Sequence, residues 1–317
     1  MSRNLPIFET EVCRYGMAAL DRAKKCIKSG QSVAIPTETV YGLAANACDS
    51  DAVAAIYAAK GRPSFNPLIV HVADTAMARR LAELDDLALK LTERFWPGPL
   101  TLVVPARNDS GLSPLVMAGL PTVAIRCPAH RAMRALIETC DLPLAAPSAN
   151  RSGAISPTSA EHVIHSLSGR IPLILDDGPT EKGLESTIAA PAGDHIRLLR
   201  PGPITEAMLE EASGLPIVRA KGGAIEAPGQ LESHYAPSKP VRLNVSDAGN
   251  DEFLIGFGTV AGDLNLSESA DLDEAAAGLF AALHIADASS RPSIAVAPIP
   301  AGGVGEAIND RLRRAAA

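Results

Sequence analysis

Short clusters of hydroxyl, carboxylate and cationic residues recur along the first 200 residues of this 317-residue chain. Pro36-Thr37-Glu38-Thr39-Val40-Tyr41-Gly42-Leu43 puts two hydroxyls and a carboxylate within three residues, directly after an apolar run. Lys60-Gly61-Arg62-Pro63 comes next, then Asn66-Pro67-Leu68-Ile69-Val70-His71. Two cations one residue apart at a helix end, with Asn and His beyond them, suit an anion held by charge-assisted hydrogen bonds. They also suit a helix C-terminus whose negative end faces Lys60 and Arg62. In Thr122-Val123-Ala124-Ile125-Arg126-Cys127-Pro128, Arg126 closes an apolar strand and needs a partner, either a structural carboxylate or a bound one. Ala146-Pro147-Ser148-Ala149-Asn150-Arg151-Ser152-Gly153, with Ser156-Pro157-Thr158 beyond it, either caps turns or makes a polar cradle for phosphate. Gly183-Leu184-Glu185-Ser186-Thr187 and Arg200-Pro201-Gly202 bracket a hairpin. Each cluster alone has a structural explanation. Together they indicate one site, because polar residues recur at successive strand ends of one domain.

Several familiar patterns are missing. There is no G-x-x-x-x-G-K-[ST] phosphate loop and no H-E-x-x-H zinc motif. His162 and His165 sit on a predicted helix with no cysteine nearby, and read as a solvated face. Gly256-Phe257-Gly258-Thr259-Val260-Ala261-Gly262 follows a strand, but its third glycine comes one place late for a dinucleotide fingerprint, so it reads as a turn. No Ser-His-Asp or Cys-His arrangement suggests a covalent nucleophile, and no metal site is expected from protein ligands.

The elements that must position these clusters alternate. Strands are predicted at Val33–Ile35, Pro67–Val72, Leu100–Pro105, Val123–Arg126, Leu142–Ala146, Leu173–Leu175, Ser186–Ala190 and Ile196–Leu199. Helices are predicted near 14–29, 51–60, 75–84, 86–95, 130–139 and 158–168, with Asp49 as an N-cap and Gly61 as a C-terminal stop. Several strands run into proline, which ends ladder pairing and releases loops where α/β proteins place their chemistry. A helix near 204–213 precedes a Gly/Ala/Pro-rich stretch over 220–240. A smaller unit follows, with strands near 241–245, 252–257 and 293–298 and helices near 271–286 and 304–315. The expected division is 10–203, a linker over 204–239, and 240–317.

Composition narrows the function classes. The chain is 47% hydrophobic, ample for two cores, and no apolar run reaches the length of a membrane span. Its five cysteines are odd in number and contain no C-x-x-C pair, which excludes a disulfide scaffold and a zinc ribbon and suits a reducing cytoplasm. The N-terminus lacks an apolar signal region, so a cytoplasmic location is expected. The net charge of −7 is unevenly spread. Residues 1–200 carry 21 Lys+Arg against 20 Asp+Glu, whereas 201–317 carry 8 against 16. An anionic ligand on the first part is therefore compatible with an acidic total.

In order, Pro36–Asn46, Lys60–Pro63 with Asn66–His71, Trp96-Pro97-Gly98-Pro99-Leu100-Thr101, Thr122–Pro128, Ala146–Gly153 and Gly183–Thr187 resemble the motifs of the YrdC/Sua5 family. His234-Tyr235-Ala236-Pro237 and the tail Gly305-Glu306-Ala307-Ile308-Asn309-Asp310-Arg311-Leu312-Arg313-Arg314-Ala315-Ala316 resemble its long, two-domain Sua5 form. The resemblance implies an α/β fold: a twisted mixed sheet in a YrdC-like domain, followed by a small Rossmann-like α/β domain. It implies a nucleotidyltransferase that makes L-threonylcarbamoyl-adenylate and pyrophosphate from L-threonine, bicarbonate and ATP, with Mg²⁺. The product would pass to the transferase machinery that builds threonylcarbamoyladenosine at position 37 of tRNA. Carried over residue by residue, Thr39, His71, Arg126 and Ser186 would hold threonine. Arg62, Asn66, Thr122, Ser148, Asn150, Ser156 and Arg200 would hold ATP, with Tyr235 reaching in from a linker that acts as a lid. Lys60 and Arg62 would be catalytic. One departure stands out: Tyr41-Gly42-Leu43-Ala44 has alanine where the family usually has glycine, which matters only if that turn needs a positive φ.

Two alternatives remain open at this level. A YrdC-like enzyme could instead make carbamoyl-adenylates from carbamoyl phosphate, although such modules do not carry a Sua5 tail. An RNA-binding module could grip phosphodiesters, with direct tRNA contact. Aromatics make up only 3% of the chain and there is no Lys/Arg run, which is thin for RNA affinity.

Overall fold

A computed structural model describes residues 7–219, 226–229 and 233–317. The signal-region reading at residues 1–6 and part of the irregular 220–240 stretch lie outside the described residues. Two sheets organise the rest. The first has eleven strands in the order β1-β8-β2-β3-β7-β4-β6-β5-β9-β10-β11. The second has four, in the order β12-β15-β13-β14, and its pairs are all parallel. This is the mixed α/β architecture expected, with a smaller α/β unit behind it.

In the first sheet, β2 (Val33–Pro36) runs antiparallel to β3 (Tyr41–Asn46), and β4 (Ile69–His71) runs parallel to β6 (Thr122–Arg126). Both β4 and β3 pair with the short β7 (Leu144–Ala145). On the other side of β6 lie β5 (Leu100–Pro105), then β9 (Thr187–Pro191), β10 (Ile196–Arg200) and β11 (Ile217–Arg219). β8 (Leu173–Asp176) and β1 (Glu11–Arg14) close the opposite edge. All four residues of β2 are buried, as expected of a strand covered on both faces. The covering helices carry apolar stripes. In α6 (Arg131–Cys140), Ala132, Met133, Leu136, Ile137 and Cys140 fall on one side and are buried. Helix α2 (Ser50–Lys60) begins and ends where sequence placed it. The Asp49 carboxylate accepts from the amides of Asp51 and Ala52, a cap worth about 1 kcal/mol. Gly61 adopts φ 61°, the left-handed stop that favours glycine.

β1, β3, β11, the two-residue β14 (Leu264–Asn265) and the one-turn α5 (Pro114–Met117) carry too little periodicity to stand out in sequence. The Tyr41–Asn46 motif is strand rather than loop. Ala44 pairs with Val33 and has no positive φ, so alanine fits there.

The second unit packs α9 (Leu272–Ala288) and α10 (Gly305–Ala315) on β12 (Val241–Leu243), β15 (Ser293–Val296) and β13 (Glu252–Gly256). The Gly256–Gly262 segment is the expected turn: a Cβ on Gly256 would come within 2.3 Å of the Val260 carbonyl. The core of this unit also takes in Val40, Ile155 and Leu184 from the first. His162 corrects the solvated-face expectation. It lies on α7 (Ala160–Leu167) and stacks on His284 of α9 with ring centroids 3.8 Å apart, while His284 Nε2 lies 3.2 Å from the Ser156 carbonyl. The helix turns that residue toward the second unit and leaves His165 exposed.

Candidate active site

The site is built where β2, β4, β6 and β10 end and where β9 begins. Thr37 opens a tight turn after β2: its amide-facing Oγ1 accepts from Thr39 N at 3.1 Å and donates to the Val40 carbonyl at 2.8 Å. That turn aims Glu38 and Thr39 at Arg126, the last residue of β6. Arg126 Nη2 meets Glu38 Oε1 at 2.5 Å, Nη1 meets Thr39 Oγ1 at 2.9 Å, and Nε meets the Gly98 carbonyl at 3.2 Å. Gly98 can present that carbonyl only as glycine, since a Cβ would lie 2.3 Å from the Phe95 carbonyl oxygen. This accounts for the glycine of the Trp-Pro-Gly-Pro cluster. The second oxygen of Glu38 accepts from the Ala129 and His130 amides at the start of α6. Burial works against the charge on Glu38, but Arg126 overrides it and holds the carboxyl below its ordinary range. Five guanidinium donors less three used leave Arg126 two N–H groups for a ligand. The structural reading of Arg126 holds, with Glu38 as its carboxylate, and the same side chain lines the cavity.

The cationic half lies beside it. Lys60 is only 3% exposed, and its Nζ donates to the carbonyls of Ser148 and Asn150 at 2.5 Å each. It has turned from its own helix end toward the 148–153 loop, whose Ser152 amide in turn donates to the Lys60 carbonyl. Burial first, then the neighbouring Arg62, lower the Lys60 pKa well below that of an ordinary lysine. Arg62 is held by the Asn66 and Pro67 carbonyls, and burial pulls its pKa down to about 10. Arg200, at the end of β10, donates to the Ser186 carbonyl and to Ser186 Oγ, which also meets Thr101 Oγ1 at 2.7 Å. Gly202 lets this turn lie against the 185–187 backbone, since a Cβ there would come within 2.5 Å of Thr187 N.

One cavity of ≈ 50 Å³ joins the two halves. Thr39, Arg62, His71, Arg126, Ser148, Ser186, Arg200 and Tyr235 line it, together with Thr37, Glu185 and His234. Lys60, Asn66, Asn150 and Ser156 stand just behind these walls, Ser156 through a 2.5 Å bond to Glu185 Oε1. Thr122 does not line the cavity. It occupies the far end of β6, roughly 13 Å back along the strand but on the same face as Arg126, by the two-residue alternation. Several buried polar atoms here find no partner among the described residues: both amide atoms of Asn66, both ring nitrogens of His71, and Asn150 Oδ1. Natural interiors seldom leave such groups idle, so these atoms indicate a polar ligand.

His234 and Tyr235 close the cavity. Tyr235 is 1% exposed and sits at φ 63°, a left-handed conformation that costs a tyrosine roughly 1–2 kcal/mol. The His234 amide donates to the Arg314 carbonyl and the Ala236 amide to Gly153, which hold this conformation in place. A volume of ≈ 50 Å³ is room for a few waters, against roughly 300–1,000 Å³ for sites that take drug-sized ligands. The cavity is thus smaller than such ligands need, and binding one of that size requires it to widen.

Glu38, Glu185 and Thr101 join the site without standing out in the sequence as binding residues. Their signal was a polar residue next to an identified one: Glu38 before Thr39, Glu185 before Ser186, Thr101 closing the Trp-Pro-Gly-Pro cluster.

Burial holds His71 and His234 at a pKa of about 3 and His284 at about 4. Each is neutral when folded and takes up a proton near its ordinary pKa of about 6.5 once unfolded. Their contribution to stability is complete above that value and is lost as pH falls through it toward the folded values. By pH 5 the loss is about 2 kcal/mol per histidine. Thermal unfolding is therefore expected at clearly lower temperature at pH 5 than at pH 7, with a shallower slope in His284→Gln. Equal midpoints at both pH values would contradict these burials.

Comparison with known families agrees with this geometry. The family model described as "Telomere recombination" (Sua5/YciO/YrdC) matches residues 25–202. The one described as "Threonylcarbamoyl-AMP synthase, C-terminal domain" matches 204–317. A Bacillus subtilis protein named threonylcarbamoyl-AMP synthase is 44% identical, covering 93% of this chain and 92% of its own. A Pyrococcus abyssi protein of the same name is 39% identical over 91% of each. The crystal structure of P. abyssi Sua5 complexed with L-threonine superposes with a TM-score of 0.88 at 37% identity, covering 97% of both chains. With both halves matched in order and the fold shared end to end, the chain belongs to the Sua5/YrdC family.

Proposed function

We propose that this protein is an L-threonylcarbamoyladenylate synthase, a nucleotidyltransferase that converts L-threonine, bicarbonate and ATP into threonylcarbamoyl-AMP and pyrophosphate. One observation carries the reading. A single cavity joins an arginine fork suited to a carboxylate, Arg126, to two arginines suited to phosphate, Arg62 and Arg200. In this reading the free N–H groups of Arg126 take the threonine carboxylate, with Thr39, His71 and Ser186 around the rest of the amino acid. Arg62, Asn66, Thr122, Ser148, Asn150, Ser156 and Arg200 serve ATP, and Tyr235 closes over it. The division 10–203, 204–239 and 240–317 assigns the closing segment to the linker.

The chemistry then has two steps. The threonine amine attacks bicarbonate, a C–N bond forms, and water leaves to give the N-carboxylate. A carboxylate oxygen of that species attacks the α-phosphorus of ATP; the bond from that phosphorus to the bridging oxygen breaks, and pyrophosphate leaves with both electrons. Charge gathers on phosphoryl oxygens and on the leaving group, so buried cations and oriented donors do most of the catalysis. Lys60 and Arg62 supply them. The two buried carboxylates of the site, Glu38 and Glu185, are occupied by arginines, so Mg²⁺ carried by the ATP phosphates suits this donor set better than a protein cage. When bound, the ion shares the phosphate charge. Closure of His234 and Tyr235 keeps water from the labile carbamate and adenylate. The adenylate would pass to a tRNA threonylcarbamoyl transferase in the cytoplasm.

Pyrophosphate release is expected to require threonine and bicarbonate together, measured with ATP and Mg²⁺ in a coupled assay. ATP turnover indifferent to threonine would overturn the reading, and dependence on carbamoyl phosphate would favour the carbamoyl-adenylate chemistry instead.

A further inference from the structure

The C-terminal tail motif has no part in the chemistry above, yet it enters the site. Helix α10 buries Ala307, Ile308, Leu312 and Ala315 along one stripe, and in the same stripe lies Arg311, whose side chain is 0% exposed. A fully buried arginine is rare and needs partners. Arg311 finds them outside its own unit. Its Nε donates to Glu185 Oε2 at 2.8 Å, and its guanidinium carbon lies 5.3 Å from the centre of the Tyr235 ring. On its own helix, Nη1 donates to Asp310 Oδ2 at 2.9 Å. Burial works against this charge, but Tyr235, Glu185 and Asp310 push the pKa upward, so Arg311 stays cationic.

The partners matter because of what they do next. Glu185 lines the cavity, and its other oxygen accepts from Ser156 Oγ at 2.5 Å. The following residue, Ser186, receives Arg200. The same loop is clamped from behind: Gly183, at φ 67°, lies so close to α9 that a Cβ would sit 2.3 Å from the Ala277 carbonyl. Asp310 also engages Arg314, whose carbonyl accepts the His234 amide. A clamp whose only task was to join two units could use any pair along the seam. Arg311 instead meets two cavity-lining residues at once, one on a wall and one on the closing segment.

We propose that Arg311 is a positioning residue for the nucleotide half of the site. It orients Glu185, and through it Ser156, and it seats the Tyr235 ring. The small C-terminal unit thus sets the geometry of the active site. The inference rests on the proposed function, and the test separates the two.

The test uses the full-length chain with Arg311→Lys, Arg311→Met and the neutral pair Arg311→Met/Glu185→Gln. Lysine keeps a charge for Glu185 but loses the planar group beneath Tyr235. Three quantities are read: the thermal midpoint, ATP affinity by calorimetry, and hydrogen exchange of the His234 and Ala236 amides without ligand. In Arg311→Lys, at a midpoint within a few degrees of the parent, these amides are expected to exchange about tenfold faster, with ATP affinity about tenfold weaker and threonine affinity within twofold. The neutral pair is expected to recover the midpoint lost in Arg311→Met but not the ATP affinity or the amide protection. Parent-like protection and ATP affinity in Arg311→Lys, or their return in the neutral pair, would reduce Arg311 to a structural ion pair and overturn the proposal. Amide exchange is read without turnover. A parent chain that forms no adenylate therefore defeats the proposed function, while the exchange result still decides the role of Arg311.

Discussion

Replacing Lys60 with alanine is expected to lower kcat/KM for adenylate formation by about 100- to 1,000-fold, the usual cost of removing one oriented charge donor from a developing oxyanion. The geometry explains the size. Two of the three ammonium N–H groups are spent on the Ser148 and Asn150 carbonyls, which fixes the nitrogen and leaves one donor for a ligand. Burial and Arg62 lower the Lys60 pKa in the ligand-free form, whereas a triphosphate or carbamate alongside would restore it. ATP binding should therefore raise the Lys60 pKa again and draw a proton onto it wherever the ligand-free amine is partly neutral. The heat of binding then depends on the ionisation enthalpy of the buffer, and that dependence disappears in the variant. Alanine also strands two carbonyls, at about 1–3 kcal/mol for each buried group left unsatisfied. Lys60→Met, which fills the space, serves as the control for folding. Activity within a few-fold of the parent in both variants would remove Lys60 from the catalytic set.

The second large effect belongs to the arginine fork. Arg126→Lys is expected to raise the KM for threonine about 10- to 100-fold with little change in kcat. Lysine offers one point charge where the guanidinium offers a planar pair of donors, and a charged hydrogen bond is worth about 1.5–3 kcal/mol. Glu38→Gln should act on the same parameter and on stability too, since it leaves Arg126 buried without its carboxylate. Breaking such a pair costs roughly 3–5 kcal/mol. Because the Glu38 carboxyl is held below its ordinary range, its contribution is complete above that range and is lost as pH falls below it toward the lowered value. The histidine-linked loss begins nearer neutrality, so the two can be told apart in one pH series. Steady-state kinetics with threonine varied, alongside thermal unfolding, checks both variants. A kcat loss with unchanged KM would place Arg126 on the reacting atoms instead.

Much of this arrangement is legible in the sequence, and the reasons for the remainder are physical. Helices such as α6, with a clean apolar stripe and a polar outer face, announce themselves. Strands such as β3 do not, because five of its six residues are buried on both faces and it is built from small residues, which leaves no alternation to read. Arg62, Arg126, Arg200 and Ser186 are marked by being polar at the ends of apolar runs. Glu38 and Glu185 are equally buried, but each hides beside a residue with a stronger claim. Arg311 has the most readable signal of the three, a cation in the buried stripe of an amphipathic helix, yet its partners lie 126 residues away at Glu185 and 76 away at Tyr235. Sequence spacing carries no trace of such distances. His162 shows the reverse failure: its helix is correctly placed, but the surface it faces belongs to α9.

Val40, Ile155 and Leu184, which come from the first unit but are packed within the core of the second, have a consequence for how the molecule melts. The apolar interior of the second sheet is incomplete without the first, whose main core is built from its own residues alone. Heating should therefore unfold the second unit before the first or together with it, never after it, an order that amide exchange of α9 followed alongside calorimetry reads directly.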